Sequence, residues 1–468
     1  MNIPNKGSGL VVPLCLILAA CGSAAPVTPA GAPAGGSAAA SPPPASVAAS
    51  KPAAATSASG SAVPVASGGA AAPAAASSPA AAAGTTCGSD SQAPPTAEEE
   101  RMGVSDSEIV LGTWNPQTGP AAPGYSGIAR AANAYLQLVN SQGGINGRKV
   151  RYVIGDDQYQ PSLTLGVAKK LVEQEKVFAA METLGTPGNL AAMPYMIEHH
   201  VPVAMVQSGS KCWSSPANLY YFGWIPNYTM EDHIAAKYTV DNIKPKKVGT
   251  FYQNDAFGKE DNDTYVADLK KAGIEVVAQV PYEASDSDFS SAALKLQAAN
   301  PDLVWLAAIP KPGALLMKES EKIGFRPKFY GSYVLHDTTM FELAGKTAVE
   351  GAYFGSYTPD PNGDSAGLKQ FRDVLKQYSP QDRASSFALT GYWGAQIMVD
   401  ALKRAGKDLT RSSFIKAMEA TKDYTGDIGG PPITFSHTDR VGVKTMMIDQ
   451  AKNGDFVKVS DYVTAPGT

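Results

Sequence analysis

The chain has 468 residues, of which 44% are hydrophobic, and a formal net charge of −4 at pH 7. This length is enough for two domains of ordinary size. Because no basic cluster stands out against the acidic balance, we expect neither nucleic acid nor an acidic membrane surface as a partner.

The first elements along the chain are those of an export signal. Lys6 precedes an apolar run at 10–20 that is too short to span a bilayer but suits the core of a signal peptide. The run ends in Leu18-Ala19-Ala20-Cys21, which resembles the bacterial lipobox. That resemblance implies a lipoprotein signal at 1–21 and a lipidated Cys21. A plain secretory signal is the alternative, and both interpretations place the mature protein outside the cytoplasm.

A long segment of low complexity follows the signal. From 22 to about 95 the sequence is almost entirely Ala, Pro, Ser, Gly and Thr. A segment of this composition cannot bury enough apolar surface to offset the entropy lost on ordering. We therefore predict a disordered tether over 22–100, with the folded part beginning near Val104.

Cysteine use agrees with export. Cys15 would leave with the signal and Cys21 would carry lipid, so that only Cys87 and Cys212 remain. An even pair of cysteines in an oxidising compartment favours a disulfide between them. Two unpaired thiols are the alternative. A nucleophilic role for Cys212 has no support, because no local motif accompanies it.

Strands and helices alternate through the first half of the folded part. Short apolar runs and helical periodicity predict the following elements in order: strand 109–114, a helix from 128 to the glycines at 143–144, strand 150–154, helix 163–175, strand 177–181, helix 187–199 and strand 201–206. This alternation predicts parallel βαβ units and therefore an α/β fold.

The pattern breaks near 222–228 and then begins again. The predicted elements are strand 247–252, a helix to 271, strand 275–280, helix 291–299, strand 303–308, helix 314–323, strands 328–333 and 351–357, helices 367–378 and 386–405, and strands 433–435, 443–449 and 456–459. The second series predicts a second α/β lobe.

The stretch from Glu182 to Ser210 is the strongest candidate for a binding site. Thr186 suits the N-cap of the following helix, and Pro187 suits its first helical position. Loops after parallel strands face one crevice, where free helix N–H groups and short hydroxyls can hold a carboxylate. The predicted ligand-binding residues here are Gly185, Thr186, Ser208, Gly209 and Ser210. The alternative is that Thr186 only caps the helix and the serines only form a turn.

Motifs for catalysis are mostly missing from the sequence. It contains no G-x-G-x-x-G, Walker A, H-E-x-x-H or G-x-S-x-G pattern, and its five histidines have no metal-binding spacing. Asp156 and Asp157 follow a strand and form either a carboxylate pair or an ordinary solvated turn. We therefore expect no enzyme activity, no cofactor and no metal.

Four stretches of sequence carry a family resemblance. They are SGIARAANAYLQLVNSQGGINGRKVRYVIGDDQYQP, ETLGTPGNLAAMPYMIEHHVPVAMVQSGS, KVGTFYQNDAFGK and YEASDSDFSSAALKLQAANPDLVWL. Together they resemble the leucine/isoleucine/valine-binding family of ABC-transporter solute-binding proteins, and the likeness covers 104–459. It implies two Rossmann-like lobes of the type I periplasmic-binding-protein fold, formed by 104–225 with 358–430 and by 226–355 with 431–462. Three hinge crossovers would join the lobes near 222–227, 353–358 and 428–433.

The resemblance also implies roles for single residues. Thr186 matches the hydroxyl that binds the solute carboxylate, and the loop Ser208–Ser210 matches positions that take the carboxylate and ammonium of an amino acid. Gln117 and Tyr125 match a wall of the cleft. Phe257 matches an aromatic residue that closes over the solute, with ordinary packing at a helix start as the alternative. Further candidates for the lining, on weaker grounds, are Trp114 and Tyr159; core packing is the favoured alternative for both.

The chain departs from the family pattern at two positions of the second lobe. Tyr333 stands where the family has a Glu that pairs with the solute ammonium, and Ile309 stands where the amino-acid binders have a Tyr. A buried ammonium without a carboxylate costs several kcal/mol in order of magnitude. We therefore expect a carboxylate, an amide or a neutral aromatic solute, unless Asp255 or Glu182 supplies the charge.

The predicted function is capture of a small organic solute outside the cytoplasm and its delivery to the permease subunits of an ABC importer. The protein would be a monomer that touches the membrane only through its lipid anchor. One alternative is a sensor that presents the solute to a membrane receptor. The other is an exported two-lobed enzyme that uses Asp255 with His233 or Tyr252.

Overall fold

The computed structural model describes Cys87 and the residues 93–214 and 219–465. The predicted signal at 1–21, its Cys21 and most of the predicted tether lie outside the described residues. Within the described ranges, no helix is both long enough and apolar enough to cross a membrane.

The first lobe is built on a five-stranded parallel sheet in the order β2-β1-β3-β4-β5. Its strands are β1 (Glu108–Trp114), β2 (Lys149–Gly155), β3 (Ala179–Met181), β4 (Val203–Val206) and β5 (Tyr221–Gly223). Its helices up to β5 are α1 (Ala97–Arg101), α2 (Ala122–Ser141), α3 (Pro161–Glu173) and α4 (Thr186–Glu198). The central strands are fully buried, as expected for a sheet covered by helices on both faces.

The second lobe contains an eight-stranded sheet. Along the sheet the strand order is β12-β11-β10-β9-β8-β6-β7, and β13 pairs with β11. The strands are β6 (Lys247–Gln253), β7 (Glu275–Tyr282), β8 (Leu303–Ala307), β9 (Lys328–Gly331), β10 (Tyr353–Ser356), β11 (Thr445–Lys452), β12 (Asp455–Lys458) and β13 (Val463–Thr464). Strands β6 to β10 are parallel, whereas β11, β12 and β13 pair antiparallel. Its helices are α5 (Tyr228–Tyr238), α6 (Ala256–Lys271), α7 (Ser290–Ala299), α8 (Pro310–Lys322), α9 (Thr339–Ala344) and α10 (Lys346–Val349).

Three further helices return the chain to the first lobe. They are α11 (Ala366–Tyr378), α12 (Ser386–Ala405) and α13 (Arg411–Glu419). Helix α12 packs along α2 and is buried on nearly all sides, which explains its continuous run of apolar residues. The chain thus passes between the lobes three times: between β5 and α5, between β10 and α11, and between α13 and β11. This architecture confirms the predicted α/β fold with two Rossmann-like lobes.

Two element predictions need correction. The segment 433–435 is no strand, because Ile433 forms only an isolated bridge to Tyr424. The folded part also begins before Val104, since Thr96 forms a capping box with Glu99 at the start of α1. Apolar periodicity in the sequence could not predict this helix, because polar contacts hold it in place. One carboxylate oxygen of Glu99, for example, lies 3.2 Å from His200 Nδ1.

The described end of the tether segment is also tied covalently. Cys87 and Cys212 form a disulfide that spans 125 residues of sequence. Cys212 is fully buried and lies in a short 3₁₀ helix, Lys211–Trp213, just after the loop that follows β4. The end of the segment predicted as tether is therefore fixed to the first lobe beside the candidate binding loop.

Candidate functional site

A small aromatic cavity lies between the two lobes, at the carboxyl ends of their parallel strands. Its volume is about 40 Å³. Seven aromatic side chains line it: Tyr125, Tyr159, Tyr228, Phe257, Tyr333, Tyr357 and Phe387. The remaining lining residues are Ile128, Leu184, Gly185, Gln207, Ile225, Ile309 and Val334. The position matches the crevice where open α/β sheets bind ligands.

The cavity brings together six residues that the sequence analysis singled out. They are Tyr125, Tyr159, Gly185, Phe257, Ile309 and Tyr333. Gly209 lies directly behind Tyr333, and a Cβ atom at Gly209 would come within 2.2 Å of the Tyr333 hydroxyl. Gly209 therefore allows Tyr333 Oη to donate a hydrogen bond to the carbonyl of Pro226 at 2.8 Å. Trp114, the weaker candidate, is fully buried and does not line the cavity.

Thr186 and Ser208 lie one layer behind the wall. Their hydroxyl oxygens are 2.7 Å apart, and both side chains are buried. They adjoin the lining residues Gly185 and Gln207 in sequence. Thr186 is the first residue of α4 rather than its N-cap; the N-cap is Gly185, whose φ of 92° suits glycine. One hydroxyl donates to the other, which leaves one O–H proton of the pair for a further acceptor.

Ser210 does not line the cavity. Its hydroxyl accepts a hydrogen bond from the backbone N–H of Cys212 at 3.3 Å and so caps the 3₁₀ helix. The sequence analysis placed Ser210 in the cleft because it follows β4. In the structure Ser210 is the N-cap of that 3₁₀ helix, and its side chain serves the helix instead.

Gln117 and Asp255 also lie outside the lining. The side chain of Gln117 is held by Asn115 and Arg130, at 2.8 and 3.0 Å. Asp255 is the N-cap of α6, where its carboxylate accepts the N–H groups of Phe257 and Gly258. Both residues shape loops at the cavity rather than presenting a polar group to it. Asp255 therefore offers no free carboxylate for a solute ammonium.

The Asp156-Asp157 pair serves its own turn. Asp156 accepts hydrogen bonds from the Thr118 hydroxyl and from the backbone N–H of Gln117. Asp157 accepts one from the Thr164 hydroxyl at 2.7 Å, and burial raises its pKa to about 6. The simpler of the two interpretations, an ordinary turn, describes these carboxylates.

Two tyrosine hydroxyls of the cavity wall are already paired within the protein. Tyr125 Oη donates to the carbonyl of Val334 at 3.1 Å, and Gln253 Nε2 donates to Tyr159 Oη at 3.4 Å. None of the lining residues, all of which lie in the described ranges, is Asp, Glu, Lys, Arg or His. The cavity therefore offers an aromatic, uncharged surface.

Comparison with known proteins decides the family. A family model described as "Periplasmic binding protein" matches residues 108–455, which is most of the chain. The chain belongs to the periplasmic binding protein family. Several curated relatives that this binding protein resembles are named Leu/Ile/Val-binding protein homologues, and members of the family bind solutes and are not enzymes.

One similar relative is "Leu/Ile/Val-binding protein homolog 3" of Brucella melitensis biotype 1, which is 23% identical over 351 residues, or 75% of this chain and 93% of that protein. A fatty acid ABC transporter substrate-binding protein from Thermomonospora curvata has a similar structure, with a TM-score of 0.71 and 24% identity over 78% of this chain and 95% of that one. A branched-chain amino acid transporter substrate-binding protein from Streptococcus pneumoniae, in complex with isoleucine, gives a TM-score of 0.67 and 20% identity over 76% and 100% of the two chains. These structural likenesses concern the fold.

The binding protein keeps its acidic groups behind the wall of the cavity. The carboxyl of Glu182 is fully buried against Gln207, and burial raises its pKa well above the usual range. Burial disfavours the charged form of this carboxyl, and Glu182 does not line the cavity, so it presents no carboxylate to a solute there.

A second buried acid lies beside Tyr333. Glu231 accepts hydrogen bonds from the backbone N–H of Tyr333 at 2.6 Å and from the Ser332 hydroxyl at 2.9 Å, and burial raises its pKa to about 8. Burial likewise raises the pKa values of its neighbours Asp232 and Asp261. The sequence analysis missed this cluster, because acidic residues on α5 and α6 look like ordinary solvated helix positions.

Three aromatic lining residues were also missed. Tyr228 begins α5, Tyr357 follows β10, and Phe387 lies in the first turn of α12. Tyr228 and Tyr357 are close to passages between the lobes, and that location is a sequence signal that could have identified them. Phe387 follows α11 and has no such signal. Sequence periodicity assigns such aromatic residues to a hydrophobic core. Here they pack at the interface between the lobes and also form the wall of the cavity.

Proposed function

We propose that this protein captures a small organic solute between its lobes outside the cytoplasm and delivers it to the permease subunits of an ABC importer. The observation that carries the proposal is the uncharged aromatic cavity, whose walls come from both lobes at the carboxyl ends of their strands. A solute in that position contacts both lobes at once. Solute contacts made only when the lobes are together favour the closed state.

Direct contacts between the lobes support closure around this cavity. Besides the Tyr125–Val334 hydrogen bond, the backbone N–H of Phe387 donates to Asp337 Oδ2 at 3.1 Å across the interface. On another side, the backbone N–H of Lys211 donates to Glu260 Oε1 at 2.7 Å. These bonds are few and local, as expected of an interface that opens and closes.

The chemistry of the wall favours a solute with an apolar body. An ammonium buried here would find no acidic side chain among the lining residues, since Glu182 and Glu231 lie behind the wall and burial raises the pKa of both carboxyls. Carboxylates, amides and neutral aromatics remain the preferred classes. The names of similar proteins, which mention Leu/Ile/Val and fatty acids, describe solutes with apolar bodies as well.

The membrane attachment rests on the sequence alone. Lipidation of Cys21 would leave a long Ala- and Pro-rich segment between the membrane and the folded lobes. The exported monomer would then meet its permease at the outer face of the cell membrane. Mass spectrometry of the protein purified from membranes would reveal a lipid-modified Cys21.

A calorimetric screen tests the binding function. We expect at least one of isoleucine, phenylalanine, 3-phenylpropanoate and 3-phenylpropanamide to bind the wild-type protein with one site. The Phe257→Ala variant should bind that solute at least tenfold more weakly, because burying an aromatic side chain contributes about 1.5–3 kcal/mol. Leu294→Ala, at an exposed position on α7, is the control and should bind normally. Equal affinity of both variants would contradict the assigned cavity.

A further inference from the structure

A second cavity adjoins the aromatic one. It has a volume of about 310 Å³ and is formed by the start of α2, the start of α12 and α9. Tyr125 and Phe387 line the aromatic cavity, whereas their sequence neighbours Gly124 and Ala388 line the second one. The rings of Tyr125 and Phe387, with centroids 4.9 Å apart, therefore form the partition between the two cavities.

The sizes of the two cavities suggest that they work together. Pockets for small molecules are typically about 300–1,000 Å³. The aromatic cavity, at about 40 Å³, is far below this range, and the second, at about 310 Å³, is at its lower end. A solute that fills only the aromatic cavity would be very small. One that extends past the partition would have a pocket of ordinary size.

The partition contains a break in the helix that carries it. Pro123 and Gly124 have non-helical backbone angles inside α2, and Gly124 has a φ of 86°. A Cβ atom on Gly124 would come within 3.0 Å of the Phe387 ring. The glycine thus lets α2 approach Phe387, and the break separates Tyr125 from the preceding turn.

The two cavities differ in charge. Arg130, Asp382, Arg383 and Glu342 line the second cavity, whereas the aromatic cavity has no charged residue. Arg130 and Asp382 satisfy each other through two contacts at 2.8 and 2.6 Å. Arg383 pairs with Glu342 across the two lobes, and both of these side chains are about half exposed. The Arg383 guanidinium is thus the cation that a solute can reach.

We propose that the solute is an amphipathic carboxylate that spans both cavities, with its apolar part in the aromatic cavity and its carboxylate on Arg383. Within the described ranges Glu342 is the one side chain paired with Arg383. A guanidinium has five N–H donors and holds carboxylates in a planar fork, so donors remain for a second anion. This inference rests on the proposed function and names its solute class. It differs from the family resemblance, which places the carboxylate at Thr186.

Matched probes with one apolar group test the proposal by calorimetry. The probes are 3-phenylpropanoate, 3-phenylpropanamide and 3-phenylpropylamine, with phenylacetate and 5-phenylpentanoate to vary the reach of the carboxylate. We expect the wild type to prefer the carboxylates, with affinity depending on their length. Arg383→Gln should weaken carboxylate binding roughly tenfold or more and leave amide binding within about twofold. Glu342→Gln should strengthen carboxylate binding, because it removes a competing anion.

Matched variants keep the outcomes distinct. Arg326→Gln is the control, since Arg326 forms a comparable exposed ion pair with Glu321 on the second lobe. Equal loss of carboxylate and amide binding in Arg383→Gln would assign Arg383 to lobe closure alone and overturn the proposal. Loss of carboxylate binding in Thr186→Ala but not in Arg383→Gln would do the same while preserving the proposed function. If 3-phenylpropylamine bound and Glu342→Gln abolished that binding, the solute class would be a cation rather than a carboxylate. No binding of any probe, and none in the broader screen, would instead contradict the proposed function.

Discussion

The two lobes support the same cavity with different chemistry. In the first lobe, polar groups behind the wall are paired with neutral partners, as in the Thr186–Ser208 hydroxyl pair, and a disulfide holds the adjacent loop. In the second lobe, Glu231, Asp232 and Asp261 are buried close together, and no basic side chain contributes to their pKa values. The first lobe is therefore expected to respond to redox conditions. The pH response is expected mainly from the acid cluster of the second lobe, with a contribution from Glu182 and Asp157 of the first, whose pKa values burial also raises.

The largest expected effect is on the pH dependence of the second lobe. Burial raises the pKa of Glu231 from 4.5 to about 8. The stability that its proton provides is fully present below about pH 4.5 and is lost as the pH rises through about 8, because the folded state then binds more protons than the unfolded state. Between pH 4.5 and about 8, each proton that the folded state retains and the unfolded state has released lowers the free energy of unfolding by about 1.4 kcal/mol per pH unit.

Thermal unfolding at pH 5, 6, 7 and 8 checks this expectation. The melting temperature should fall across the series for the wild type, and Glu231→Gln should flatten the decline while keeping partners for Tyr333 and Ser332. As a control, Glu98→Gln removes an exposed carboxyl of α1 and should keep the wild-type slope. A wild-type protein that gains stability from pH 5 to 8 would contradict the buried-acid interpretation.

A smaller effect is expected from the bond in the first lobe. Replacing both Cys87 and Cys212 by Ser should lower the free energy of unfolding by about 2–4 kcal/mol, because the closed loop no longer restricts the unfolded chain. Denaturant titration with and without a reductant measures it. Reductant should destabilise the wild type and leave the double variant unchanged. If thiol labelling shows complete reduction and the wild type nevertheless keeps its stability, the disulfide does not distinguish the first lobe from the second.

The smallest effect separates two hydroxyls of the first lobe. Thr186→Ala should weaken solute binding by about 1–3 kcal/mol if a solute uses this hydroxyl, since the truncation leaves a buried partner unpaired. Ser210→Ala should leave affinity unchanged, because Ser210 caps the 3₁₀ helix and not the solute. Calorimetry of both variants with one and the same bound solute distinguishes these outcomes. Equal losses in both variants would return Ser210 to the binding site.

Much of the fold could be predicted from local sequence. The alternating apolar runs around Val110, Val150 and Ala180 predicted parallel strands, and the structure places them side by side in one sheet. Local sequence signals failed where contacts between residues distant in sequence determine the structure. Helix α1 has no apolar face of its own, and Ile433 reads as a strand residue but finds only a bridge partner. Both outcomes depend on partners distant in sequence.

The candidate site divides in the same way. Tyr125, Phe257 and Tyr333 could be predicted, because each belongs to a loop or helix start at the carboxyl end of a strand and matches a family position. Phe387 could not, since it reaches the cavity only when the chain returns to the first lobe, and Glu231 could not, since it lies behind the wall and contacts Tyr333 from a helix distant in sequence. Ser210 does not line the cavity because its hydroxyl caps the 3₁₀ helix that follows β4, a short element that periodicity did not predict.

The sequence by itself determined the periodicity of the strands and helices, and with it two α/β lobes and the edge where a ligand binds. Those properties follow from neighbours within a few residues. Only the tertiary structure decided which polar groups face the solute, because pairing removes Thr186, Glu182 and Asp255 from the surface while aromatic rings from both lobes replace them. Hydrogen bonds and burial between segments distant in sequence determine which side chains face the cavity, and no local sequence pattern encodes them.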